Sequence, residues 1–252
     1  MSSDKKRHLE MTVATVQQRW GWKALRKLEA SSVTGQVPHI STGFRALDNA
    51  LGIGGLAKGR MSELLGPATS GKTTLALKFL VQAQVEGRCV GYVDYGRFFD
   101  PDYAHRCGLD LSRLLIATPY DLKEALCITQ ALAESGGLSA LVFDGLDALW
   151  SDASATQLLA AHLDHLAALL GRSGTAVLFL HAPLAMEAPA LSALAHHASV
   201  RLHVARERWL RRHGDVKGYE AKVEILKNRL GPANRAVTIT IEFNGTVHGD
   251  GL

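Results

Sequence analysis

Gly66-Pro67-Ala68-Thr69-Ser70-Gly71-Lys72-Thr73 is the stretch on which the fold of this chain turns. Glycine stands first and sixth, lysine seventh and a hydroxyl eighth, the pattern GxxxxGK[ST] without a mismatch. An apolar run, Met61–Gly66, leads into it, and a helical pattern over 72–87 follows it. Strand, glycine loop and helix together make a phosphate cradle. The glycines let backbone N–H groups wrap the anion, and the helix N-terminus turns its positive end towards it. Lys72 adds a point charge for the β- and γ-phosphates, the Thr73 hydroxyl can ligate Mg²⁺, and Thr74 continues the cradle. Nucleotide binding is the first expectation.

A metal-bound nucleotide needs an acid at the end of a neighbouring apolar strand. Leu141-Val142-Phe143-Asp144 supplies it, so Asp144 and Thr73 are the expected Mg²⁺ residues. Further strands are expected at Cys89–Asp94, Leu114–Ala117, Ala140–Asp144 and Ala176–His181. Helices are expected at Asp102–Cys107, Asp121–Ser135 and Ala153–Arg172. The second of these carries Asp121 as N-cap with Glu124 three positions on, a capping box. Such strand–helix alternation predicts a mostly parallel, doubly wound sheet. Three alternating runs, Val200–Ala205, Lys222–Asn228 and Ala236–Phe243, predict an antiparallel extension at its edge.

Upstream, residues 8–22 read as a helix ending at Trp20 and Trp22, with Gly21 weakening its continuation. Residues 24–28 fit either a helix tail or a short strand. The Ser-, Thr-, Gly- and Pro-rich stretch 31–43 marks a linker. The expected division is a segment at 1–33, holding the helix and linker, and a core at 34–252.

Composition narrows the class. The 252 residues are 47% apolar and 21% charged, globular values rather than those of a disordered chain or coiled coil. Cys89, Cys107 and Cys127 form no CxxC pair, which fits a reducing cytoplasm and neither a zinc site nor a disulfide framework. No apolar run reaches the ~18 residues of a membrane span, and the opening MSSDKKRHLE has no apolar leader. The formal charge is only +4, but 1–30 carries seven Lys and Arg against three acids, and 201–235 carries ten against four. Two basic ends flank an acidic middle, a distribution suited to nucleic acid or an acidic partner.

From Ile40 onward the wording resembles the bacterial RecA family. The resemblance is carried by Ile40-Ser41-Thr42-Gly43, by Leu47-Asp48 with Ala50-Leu51-Gly52, Gly54-Gly55-Leu56 and Gly59-Arg60, and by the phosphate loop. Asp100-Pro101 with Tyr103-Ala104, Gly108 with Asp110, Ala198-Ser199-Val200-Arg201-Leu202 and Lys227-Asn228-Arg229 extend it. It implies a RecA-like P-loop core: a mostly parallel α/β sheet with an antiparallel edge extension and a small N-terminal helical segment. It further implies ATP as the nucleotide, with Asp100 at the adenine and Tyr103 stacked on it. Lys227 and Arg229 fall where the family reaches a neighbouring subunit's ATP. In RecA proteins the N-terminal helix packs on the adjacent protomer, so residues 1–30 are expected to self-associate or join a RecA filament.

The departures from the family pattern matter as much. Tyr92-Val93-Asp94-Tyr95-Gly96-Arg97 places Gly96 where the family carries the Glu that activates the attacking water. Asp94 lies two residues away, on the same side of an alternating strand, with a shorter reach. His181-Ala182-Pro183 replaces the family's polar Asn-Gln sensor pair, leaving His181 as a candidate sensor. The loops that hold DNA in the family look short, at 151–156 and 183–192, the latter without a basic residue. The family's C-terminal domain is expected to be absent beyond Leu252. One basic feature is new. The run 206–218, expected at a hairpin tip, puts Arg206, Arg208, Arg211, Arg212 and Lys217 around Trp209, which suits phosphate contact with base stacking or a protein's acidic groove.

Three functions stay open at this point. The first is an ATP-binding RecA paralog with little or no hydrolysis, an accessory of recombination or, as in ImuA-type proteins, of translesion polymerases in the SOS response. The second is an active DNA-dependent ATPase and strand-exchange enzyme with a relocated base. The third is an ATP-switched oligomerisation protein outside DNA repair.

Overall fold

The computed structural model describes residues 3–21, 24–25, 36–149, 153–183, 189–243 and 247–248. It separates into two compact units, 1–36 and 37–252. In the first, α1 (Ser3–Trp20) starts five residues earlier than the sequence pattern indicated and stops where Gly21 takes a left-handed φ of +85°. Trp22, residues 26–28 and the first part of the expected linker lie outside the described residues.

The second unit follows the expected alternation. In chain order it runs β1 (His39–Ile40), α2 (Arg45–Leu51), β2 (Leu56–Ala57), β3 (Met61–Leu65), α3 (Lys72–Gln84), β4 (Cys89–Asp94), α4 (Pro101–Arg106) and β5 (Leu114–Ala117). It continues through α5 (Leu122–Glu134), β6 (Leu138–Asp144), α6 (Ala153–Ser173), β7 (Ala176–His181) and α7 (Pro189–His197). The last strands are β8 (Val200–Arg212), β9 (Asp215–Asn228), β10 (Arg235–Phe243) and β11 (Val247–His248). Nine strands form one sheet in the order β11-β10-β9-β8-β3-β7-β6-β4-β5. From β8 to β5 neighbours are parallel; β8, β9, β10 and β11 pair antiparallel. The parallel sheet with its antiparallel extension is as expected.

Side chains of the parallel strands alternate between two cores. Leu64, Tyr92, Val142, Leu178 and Leu180 face α3 with Phe44, Leu47 and Leu51. Val93, Leu141, Phe143, Val177 and Phe179 face α5 and α6. Each fully buried Phe or Leu is worth about 1.5–3 kcal/mol, and burying both faces of the sheet fixes its register. Local capping agrees with this arrangement. The Asp121 carboxylate accepts from Glu124 N at 2.8 Å, while Glu124 reaches back to Tyr120 N at 2.7 Å. The Ser41-Thr42-Gly43 segment is a staple: Asp48 accepts from Ser41 Oγ, Thr42 N and Thr42 Oγ1.

Two loop expectations change. Residues 206–218 are not a hairpin tip, because strand pairing carries β8 to Arg212 and β9 starts at Asp215, leaving His213-Gly214 as the turn. Of the two short loops, 153–156 and 189–192 are helical; Pro189 takes the first position of α7, where its missing N–H costs nothing. Residues 151–152 and 184–188 lie outside the described residues.

Candidate nucleotide-binding site

The phosphate loop joins β3 to α3 at the carboxyl end of the parallel strands, where open α/β sheets bind ligands. Close approach explains both of its glycines. A Cβ at Gly66 would lie 2.2 Å from Val204 O, and one at Gly71, whose φ is +106°, would lie 2.9 Å from Tyr219 Oη. Thr69 at the apex is left-handed as well, φ +59°. Lys72 Nζ folds onto the loop, donating to Gly66 O and to Pro67 O at 2.9 Å. Ser70 Oγ is buried and accepts no partner among the described residues. A cradle of close backbone, a loop lysine and an unpaired buried hydroxyl fit a polyphosphate. Thr73 is exposed at the start of α3, and Asp144 ends β6 at the same end of the sheet.

The acid side of the site is more crowded than the sequence indicated. Tyr92 donates its hydroxyl to Asp144 Oδ2 at 2.5 Å from the adjacent strand. Burial pushes the Asp144 carboxyl up; the Tyr92 hydrogen bond opposes that, and Asp94 and Asp147 add to it. Burial likewise pushes Lys72 down, against the pull of Asp147 and then Asp144. Asp147 stands in a 3₁₀ turn, Leu146–Leu149, and accepts from Ala182 N at the end of β7. His181 O, one residue back, accepts from Gly66 N at 3.2 Å. Asp147 therefore belongs to the same corner as the phosphate loop. Among the described residues, no three His, Cys, Asp or Glu stand together to hold a metal ion.

Gly96 offers no side chain, and its surroundings leave little space for one. A Cβ there would lie 2.5 Å from the Phe98 ring and 3.2 Å from Gly145 Cα. The Asp94 carboxylate, two residues back, accepts from Phe98 N at 2.8 Å and Phe99 N at 3.1 Å, tying down the turn after β4.

Across the loop, Tyr103 Oη is 2.6 Å from Thr74 Oγ1, and Tyr219 Oη is 3.2 Å from the same atom. Arg106 covers the Tyr103 ring at 5.6 Å. Asp100 is the N-cap of α4, accepting from Tyr103 N at 3.0 Å, so it orients the helix that carries Tyr103. Thr69–Thr74, Tyr103, Arg206, Trp209 and Tyr219 together line a cavity of about 500 Å³.

The remaining candidates lie elsewhere. Lys227 and Arg229 close the C-terminal end of α7, donating to Ala195 O and His196 O, and are not brought to this cavity. Arg208 is paired bidentately with Glu220, and Lys217 with Asp215, while Arg211 and Arg212 flank the exposed turn. His181 is buried. Its Nε2 lies 2.8 Å from Glu63 Oε1 and its Nδ1 2.7 Å from Ala182 O, and Arg201 closes a fork on Glu63 at 2.6 and 3.1 Å. Burial pushes the Glu63 carboxyl up, but His181 and Arg201 hold it below the usual range.

Sequence reasoning missed Glu63, Tyr92, Asp147 and Tyr219. A lone acid inside the apolar Met61–Leu65 run was a usable signal, since a buried carboxylate requires partners. The other three act through cross-strand or loop contacts that no local pattern encodes.

Residues 7–248 match the family described as the RecA N-terminal domain. The chain is 34% identical to Protein RecA of Sinorhizobium medicae over 272 residues, covering 99% of this chain and 75% of that protein. It is 32% identical to Protein RecA of Paracoccus denitrificans over 273 residues, covering 100% and 75%. Protein RecA of Bdellovibrio bacteriovorus is 34% identical over 273 residues, covering 99% and 72%.

Proposed function

This chain belongs to the RecA family, and from that premise we propose that it is an ATP-binding RecA-like protein of DNA repair or recombination with weak or absent ATP hydrolysis. Its role is that of an accessory or filament-modulating factor, including service to translesion polymerases in the SOS response. Gly66–Thr74 hold the phosphates, Thr73 and Asp144 the Mg²⁺, and Asp100 and Tyr103 the adenine side. When bound, Mg²⁺ neutralises phosphate charge; the chain's own residues orient the nucleotide around it. Lys227 and Arg229 serve a neighbour's ATP, a role supported by their match to the family pattern at Lys227-Asn228-Arg229.

Self-association through residues 1–30 is supported by the sheet's edge strand β5, where Leu115 and Ile116 are each 48% exposed. Arg211 and Arg212 are the hairpin cations best placed to meet single-stranded DNA or an acidic partner. No described helix is long and apolar enough to cross a membrane, which is compatible with a cytoplasmic site of action.

The observation that carries weak hydrolysis is Gly96, closed in by Phe98 and Gly145 while Asp94 is committed to backbone amides. Loss of a positioned base costs about 10²–10⁴-fold in rate. The test is ATP binding and turnover with and without single-stranded DNA, with Lys72→Ala as the binding control. Tight Mg²⁺-dependent ATP binding, lost in Lys72→Ala, with very slow turnover is expected. Robust DNA-stimulated turnover overturns the assignment.

A further inference from the structure

Strict alternation along β8 would set Arg206 and Trp209 on opposite faces. The ladder with β9 prevents this. Arg206 pairs with Ala221, Arg208 with Glu220 and Trp209 with Tyr219, so Glu207 is the extra residue of a bulge. The bulge re-aims the strand, a use such irregularities have beside functional sites. It brings Arg206 and Trp209 to one face, over the phosphate loop.

There the guanidinium of Arg206 lies 4.2 Å from the Trp209 ring centroid, and its Nη1 donates to Thr69 O at 3.2 Å. Trp209 meets Tyr219 edge-to-face at 5.7 Å, and Tyr219 is anchored on Thr74. Arg208, Lys217 and Lys222 each spend their charge on a carboxylate. Among the described residues, no salt bridge neutralises Arg206. A half-buried guanidinium that no described salt bridge neutralises, held over an indole and directed at the apex of a phosphate loop, is arranged for an anion seated in that loop. Its planar fork suits phosphate oxygens, and the stacking removes much of the side-chain freedom that binding would otherwise cost.

We propose that Arg206, held by Trp209, is a contact from the same chain to the phosphates of the bound nucleoside triphosphate, which makes the root of the β8–β9 hairpin a wall of the nucleotide site. The proposal rests on the ATP reading above. It also divides the basic hairpin into two parts, Arg206 and Trp209 turned to the nucleotide and Arg211 and Arg212 turned outward.

The experiment uses the full chain and a fluorescent N-methylanthraniloyl ATP, followed by anisotropy with unlabelled ATP and ADP as competitors. Arg206→Ala should weaken ATP binding about tenfold or more, the loss expected for one charged hydrogen-bonding group. Arg206→Lys should fall between, and the nucleotide-free melting temperature of both should stay near that of the wild type. Subtracting the emission of Trp209→Phe from that of the unmodified protein should reveal a Trp209 signal that changes as ATP saturates. If Arg206→Ala binds ATP as tightly as the wild type while Lys72→Ala does not, the ATP site stands and this proposal falls. An unchanged Trp209 signal at saturation overturns it equally, even where Arg206→Ala fails to fold. If the unmodified protein binds no nucleotide, the ATP reading itself falls and this proposal with it.

Discussion

Gly96 and Gly145 lie back to back, and the two positions respond differently to an added side chain. A Cβ on Gly145 would meet Gly96 N at 2.2 Å, and its φ of +104° is strained for any other residue. Gly145→Ala should therefore lower the melting temperature, because backbone cannot move aside. At Gly96 the obstacle is the Phe98 ring, which is 72% exposed and able to swing away. Gly96→Glu should fold, and turnover should rise further when Phe98→Ala is added to it. Steady-state ATP turnover and thermal melts of the single and double variants check both outcomes. Gly96→Glu with Phe98→Ala turning over no faster than the wild type would show that more than a carboxylate is missing. That Gly96 stands where the family carries a Glu is read from the resemblance alone. The engagement of the Asp94 carboxylate was not legible in the sequence, because the turn that holds it is formed by the amides of Phe98 and Phe99.

At the scale of elements, β3, β7 and β8 are tied by one buried charge. The folded protein holds Glu63 below its ordinary value of 4.5, so the unfolded chain binds more protons as the medium is acidified. Stability from this group is thus fully present above that value and is lost as pH falls below it, towards the depressed folded value. Urea unfolding across that acid range should show a falling limb that Glu63→Gln flattens. At neutral pH the same variant should cost about 3–5 kcal/mol, because Arg201 and His181 lose the carboxylate that compensates them. An unaltered acid limb in Glu63→Gln would assign the pH dependence to other groups. Elements bounded by clear chemistry were legible: β4, β5 and β7 fall where the apolar runs placed them, and Asp121 caps α5 as its spacing indicated. The extent of β8 and β9 was not, since beyond Ala205 their charged residues read as turn. Cross-strand pairs such as Arg208 with Glu220 let that polar stretch continue as a ribbon.

For the whole molecule, the division into units 1–36 and 37–252 bears on assembly. Deleting residues 1–30 should leave a folded core that still binds ATP and should abolish self-association or RecA binding, measured by sedimentation and by nucleotide titration. A truncated protein that unfolds would place the segment in the core. Composition and alternation were enough to indicate the sheet and its antiparallel extension, but not where each strand sits in it. That order has a consequence for synthesis. Strand β3 is complete by residue 65, yet its two neighbours are β7, starting at Ala176, and β8, starting at Val200. A chain growing from its N-terminus adds the 110 residues 66–175 after β3 before the first flank of the loop's strand, β7, begins. Pairing at such long sequence separation is slow to form, and an apolar strand with two open edges invites other chains. The nucleotide pocket is therefore among the last parts of the emerging polypeptide to take shape, and the period before Val200 emerges is when a nascent molecule most needs shielding.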